Sequence, residues 1–128
     1  MHRLAHKDKP LELEREGMSD KFIFLPLGGV GEIGMNFAAY GFGTGAHRQW
    51  LIVDMGVGFA NQTYPGADLV FPDISFLQQQ KENICGILLT HAHEDHYGAV
   101  AFLAPLLEAP VYCTNFTAHL LETKFSSI

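Results

Sequence analysis

The sequence predicts a mixed α/β domain, and three observations predict it. The apolar run Ile84-Cys85-Gly86-Ile87-Leu88-Leu89 has strand length and leads, after a short polar loop, into a segment whose Val100, Leu103, Leu106 and Leu107 fall at helical spacing. Residues 36–53 read as a β-hairpin, with a strand to Phe42, a turn at Gly43-Thr44-Gly45 and a strand from Gln49 to Val53. At 128 residues and 48% hydrophobic content, the chain can bury the core of one domain and no more.

The elements follow in order. Residues 1–17 are charged, interrupted by Pro10 and aperiodic, which predicts a flexible extension, and Met18 is a candidate start; residues 18–128 form the predicted domain. A strand over residues 22–27 enters the glycine-rich stretch Gly28-Gly29-Val30-Gly31-Glu32-Ile33-Gly34. That stretch fits Gly-x-Gly-x-x-Gly, and Asp54 lies about 20 residues on, as a dinucleotide site requires. The segment after it, however, is short, aromatic and broken by Gly41, Gly43 and Gly45, so it reads as the hairpin and not as the helix a dinucleotide fold needs. The glycines are expected to let the backbone turn tightly past the rim of a site. Residues 56–72 form a long irregular loop with a turn at Pro65-Gly66. Asp73 is placed to cap a short helix running towards Gln80, and the strand over residues 84–89 follows. The helix beyond the polar loop runs to about Leu107, with Pro105 set to kink or shorten it. A short strand at residues 111–113 and a helix from about Phe116, capped by Thr114 or Asn115, complete the series.

The formal net charge is −6, and no basic stripe marks a surface for nucleic acid. No apolar stretch is long enough for a signal peptide or membrane span, so the protein is expected in the cytoplasm with no membrane partner. Cys85 and Cys113 both lie in strand-like runs and read as buried, reduced thiols.

The chemistry concentrates in His91-Ala92-His93-Glu94-Asp95-His96, four potential metal ligands in six positions at the end of a strand. Side chains at i and i+2 of an extended segment point the same way, so His91 and His93 can hold one cation between two imidazole nitrogens. Asp95 and His96, at the start of a helix, can face a second cation. Two cations roughly 3.5–4 Å apart suit the hydrolysis of a phosphoryl or acyl group. Packing is a poor alternative, because each imidazole or carboxylate near a core needs a partner. The isolated His2, His6, His47 and His119 read as ordinary surface or core residues. The spacing is not that of His-Glu-x-x-His, so Glu94 is no default general base.

With Thr90 before it and Gly98 after it, this hexapeptide resembles the His-x-His-x-Asp-His signature of the metallo-β-lactamase superfamily. The glycine-rich opening through Met35-Asn36, then Val53-Asp54-Met55-Gly56, then Asp68-Leu69-Val70-Phe71-Pro72-Asp73, then the histidine motif are similar in order and spacing to the opening of the bacterial ribonuclease J family, from about Phe22 onward. That family belongs to the β-CASP branch of the superfamily and degrades RNA with zinc. The resemblance implies two zinc ions in the complete enzyme, His91 and His93 on the first, Asp95 and His96 on the second, with Asp95 and His96 also counted as catalytic. It implies that Asp54 supports the ligands from behind. It further implies RNA as substrate, a possible homo-oligomer of the full-length protein, and an αββα sandwich of which this chain is the N-terminal half.

A complete site of that kind needs a third His, a bridging Asp and a further His after the motif, and only His119 follows it. The chain is therefore expected to be an N-terminal fragment, inactive alone, with weak zinc binding and an uncovered apolar sheet face. Other hydrolases of the same fold, acting on thioesters, lactones or DNA, remain alternatives, as does a non-catalytic metal-binding fragment.

Overall fold

In the computed structural model, which describes residues 20–59 and 65–127, the strand-like runs join into one five-stranded sheet. The strands are β1 (Lys21–Gly28), β2 (Phe37–Gly43), β3 (Gln49–Met55), β6 (Ile84–Leu88) and β7 (Val111–Tyr112), side by side in that order. The first three pair antiparallel, as the hairpin pattern requires; β3, β6 and β7 pair parallel, so helices must carry the chain back between them. The helices are α1 (Ser75–Gln79), α2 (Glu94–Tyr97), α3 (Val100–Leu107) and α4 (Asn115–Ser126).

Alternation along the strands decides which side the helices cover. Phe37 and Ala39 of β2, Ile52 of β3 and Ile87 of β6 form one core with Leu77 of α1, Val100, Leu103 and Leu107 of α3 and Leu121 of α4. The intervening residues face the other way. There Phe22 pairs with Phe42 and Phe24 with Tyr40, while Tyr40 in turn faces Leu51 and Leu88 faces Tyr112. Phe22 is 70% exposed and Phe42 57%, so the expected uncovered apolar face is a feature of this sheet.

Several expectations are corrected. The loop after residue 56 contains a two-stranded sheet, β4 (Gly58–Phe59) with β5 (Leu69–Val70). The helix after the histidine motif is two helices, because the Ala99 N–H bonds to the Met55 carbonyl at 2.9 Å while the Asp95 carbonyl, its helical acceptor, receives Asn36 N–H at 2.9 Å. Pro105 neither ends nor shortens α3, which continues to Leu107; in the last turn its missing N–H forfeits one bond at most. Asp73 acts one residue before the position expected, accepting the Ser75 N–H at 2.8 Å, with Ile74 as the residue flanking α1. Thr114 does cap α4, its hydroxyl accepting Thr117 N–H at 3.3 Å. Cys85 is exposed and Cys113 intermediate, against the expectation that both are buried; the pairing of β3 with β6 shifts register beside Cys85, whose thiol donates to the Trp50 carbonyl at 3.1 Å. The predicted extension over residues 1–17, with His2 and His6, lies outside the described residues.

Candidate metal centre

The site begins with a distortion of β3. Phe37 pairs with Met55 and Ala38 with Val53, so Asp54 is the extra residue of a β-bulge and lies at φ 61°, in the left-handed region. Bulges re-aim side chains at the cost of ladder pairing. Here the bulge turns the Asp54 carboxylate, only 6% exposed, towards the end of β6. It accepts the Thr90 N–H at 2.8 Å and the Thr90 hydroxyl at 2.8 and 3.0 Å, and it meets His96 Nδ1 at 2.8 Å.

That network fixes tautomers. A carboxylate can only accept, so His96 carries its proton on Nδ1 and presents a bare Nε2. The Thr90 hydroxyl spends its single hydrogen on Asp54, so at 2.9 Å it accepts from His91 Nδ1, leaving His91 Nε2 bare as well. One buried carboxylate thus orients a histidine in each half of the motif, directly at His96 and through Thr90 at His91.

The five predicted residues come together. His91 Nε2 and His93 Nδ1 are 3.1 Å apart, and the His91 ring centre lies 4.5 Å from that of His93 and 4.1 Å from that of His96. Asp95 Oδ2 lies 3.5 Å from His96 Nε2. Two ligand atoms on a tetrahedral zinc with bonds of about 2.0–2.1 Å are roughly 3.3 Å apart, so both pairs have the separation a shared cation needs. No group of three or more His, Cys, Asp or Glu is arranged around a single metal position among the described residues. His119 is far from this role: it is 82% exposed and lies 3.8 Å from Glu122 on its own helix.

Asn36 is the site residue that the residue types did not single out. Its Nδ2 lies 3.1 Å from Asp95 Oδ2, 3.2 Å from the Asp95 carbonyl and 3.2 Å from His96 Nε2. The amide therefore donates to the lone pairs that a cation between Asp95 and His96 would use, and must give way to one. Its position at the end of the glycine-rich stretch, just ahead of a strand, was the available signal. That stretch borders a cavity of about 200 Å³ reaching Asn36, Asp54 and His96, as expected for a tight backbone turn at the rim. No helix follows it, which removes the dinucleotide alternative.

Backbone contacts lock the parts together. Met35 N–H bonds to Val57 O, Gly56 N–H to Asn36 O and Val57 N–H to Glu94 O. Gly56 has to be glycine: a Cβ there would fall onto the Asp95 carbonyl. At the other end of the motif, Lys124 of α4 reaches both Glu94 carboxylate oxygens, at 2.7 and 2.8 Å.

Residues 44–126 match the family model of the metallo-beta-lactamase superfamily. The chain is similar to ribonuclease J of Sinorhizobium meliloti, with 57% identity over 105 residues, 82% of this chain and 19% of that protein. Ribonuclease J of Helicobacter pylori is 41% identical over 100 residues, 78% of this chain and 14% of the relative. Ribonuclease J of Thermus thermophilus is 34% identical over 120 residues, 90% of this chain and 20% of the relative. The chain thus spans at most about a fifth of the length of these curated relatives. None of its described helices is long and apolar enough to cross a membrane.

Proposed function

Because the chain belongs to the metallo-beta-lactamase superfamily and aligns there with ribonucleases J, we propose that it contributes four metal ligands to a zinc-dependent ribonuclease that hydrolyses RNA phosphodiesters in the cytoplasm. The observation that carries this is the pair of facing donor sets, His91 with His93 and Asp95 with His96, oriented by one buried carboxylate. Two zinc ions held there would supply a water activated at neutral pH and positive charge against the phosphodiester oxygens.

The chain's own residues do the remaining work. Asp54 and Thr90 keep the Nδ1 protons of His96 and His91 in place, so that both Nε2 lone pairs point into the site. Asp95 supplies a carboxylate oxygen at the same edge, and Asn36 holds it until a cation takes over. Substrate charge is met by these ions and not by the surface, since the chain itself carries −6.

Four ligands shared between two ions leave two protein donors for each, where catalytic zinc sites have three. A polypeptide limited to these residues should therefore bind zinc weakly and turn over RNA slowly or not at all. The test is cleavage of end-labelled single-stranded RNA by the protein made from its complete reading frame, with zinc, against His93→Ala. Cleavage lost in His93→Ala supports the reading. Zinc binding without cleavage of any phosphodiester, by wild type as by variant, would overturn it.

A further inference from the structure

A second cavity, of about 220 Å³, lies between the histidine loop and the start of α4. Thr90, His91 and His93 form one wall, and Thr114, Phe116 and Thr117 the other. Phe116 is the feature that folding does not explain. It is 70% exposed, while the buried positions of α4 are Thr117 and Leu121. The other exposed phenylalanines with a ring partner have an evident one: Phe22 and Phe24 lie against Tyr40, Phe76 meets Trp50 edge-on and Phe102 packs beside Phe71. Phe116 meets no other ring among the described residues; Phe42, Phe59 and Phe125 are exposed without one as well, but none of them lines this cavity.

A single exposed apolar side chain is ordinary on a protein surface. This one borders a cavity whose opposite wall carries two proposed metal ligands, so whatever lies on its ring also lies beside the reacting group. The cavity is smaller than the roughly 300–1,000 Å³ of a pocket for a drug-sized ligand, and has room for one small group. The three threonines around it are already engaged. Thr90 donates to Asp54, and Thr114 is bonded to the Thr117 hydroxyl at 3.1 Å and caps its N–H. Beyond the two histidines, what is offered is the π-face of Phe116, with little hydrogen-bond pattern to read.

We propose that Phe116 is a stacking platform for one nucleobase of single-stranded RNA, placed so that the adjoining phosphate lies at His91 and His93. This rests on the ribonuclease reading and deepens it. Stacking on an aromatic ring accepts every base, so the subsite selects for the presence of a base and not for its identity.

The test compares AMP, UMP and ribose 5-phosphate, titrated by calorimetry into the zinc-loaded protein from its complete reading frame, wild type against Phe116→Ala and Phe116→Tyr. Both nucleotides should bind roughly 5- to 100-fold more tightly than ribose 5-phosphate. Phe116→Ala should erase that difference while leaving ribose 5-phosphate unchanged, and Phe116→Tyr should retain it. The exposed ring makes loss of folding in either variant unexpected, and circular dichroism checks it. Equal binding of nucleotides and ribose 5-phosphate by wild type, or a base preference that survives Phe116→Ala, overturns the platform. RNA cleavage measured in parallel separates the two ideas. Cleavage without a Phe116-dependent preference sinks the platform alone, and a Phe116-dependent preference without cleavage sinks the ribonuclease reading alone.

Discussion

At Asp54 the backbone accepts a left-handed conformation, φ 61°, that a strand residue other than glycine rarely adopts. What the strain obtains is reach: its carboxylate contacts Thr90 and His96, and through Thr90 it governs His91. Asp54→Asn tests this cleanly, because Asn tolerates the left-handed region as well as Asp does and removes only the charge and half the acceptor capacity. Zinc affinity, measured by competition with a chromophoric chelator, should fall roughly 10- to 100-fold. Thr90→Val is nearly isosteric and removes the branch to His91 with the hydroxyl's bonds to Asp54, but leaves the Asp54 contact to His96 in place, so its effect should be smaller, about 10-fold at most. The double variant should be no weaker than Asp54→Asn alone, because both act along one chain of hydrogen bonds. Additive losses would mean that Thr90 and Asp54 act separately.

At the level of elements, the site depends on how closely β3 and α2 approach. A Cβ on Gly56 would meet the Asp95 carbonyl, and the φ of Gly56 is not positive, so Gly56→Ala is a purely steric insult. Overpacking costs about 1–3 kcal/mol in general, and backbone against backbone cannot relax by a rotamer change; urea denaturation should place this variant at the upper end of that range or beyond. Wild-type stability would show that β3 and α2 separate readily. Helix α1 offers a test through pH. The Ser75 hydroxyl, and after it the Ser75 N–H, hold the Asp73 carboxyl below its ordinary pKa. A depressed folded-state pKa contributes stability that is present above the unfolded value and lost as pH falls through the folded one. Asp73→Ala should therefore melt below wild type at neutral pH, and the gap should close in acid below the ordinary carboxylate range. These elements also mark how far the sequence can be read. The strand over Ile84–Leu88, the hairpin of β2 and β3 and the Thr114 cap follow from patterns a few residues long, and so does the placing of His91 and His93 after a strand and of Asp95 and His96 at the start of a helix. Asn36, the bulge at Asp54 and the break between α2 and α3 did not, because each is set by partners far along the chain: Asp95 for Asn36, Thr90 and His96 for Asp54, and Met55 for Ala99.

The whole molecule is asymmetric about its sheet. One face is buried under helices, and the other presents Phe22, Phe24, Phe42, Leu88 and Tyr112 to solvent at the strand-paired positions of a nearly continuous patch. Monomeric proteins rarely expose large contiguous apolar patches, and β1 is an edge strand of the sheet that the described residues form. Prepared as these 128 residues, the protein should bind a hydrophobic dye and self-associate at micromolar concentration in sedimentation experiments. Net charge decides how salt acts. At −6, two copies repel each other over distances that salt screens, about 10 Å at 0.1 M, while the apolar contact is not weakened by ions. Association should thus tighten as sodium chloride rises from 0.01 to 0.5 M, the reverse of a contact built on ion pairs. Phe22→Ser with Phe42→Ser, a cross-strand pair on the exposed face, should reduce both dye binding and association without touching the buried core. A protein that stays monomeric at every salt concentration, with no dye bound and a cooperative melt, would show that this face is satisfied as it stands.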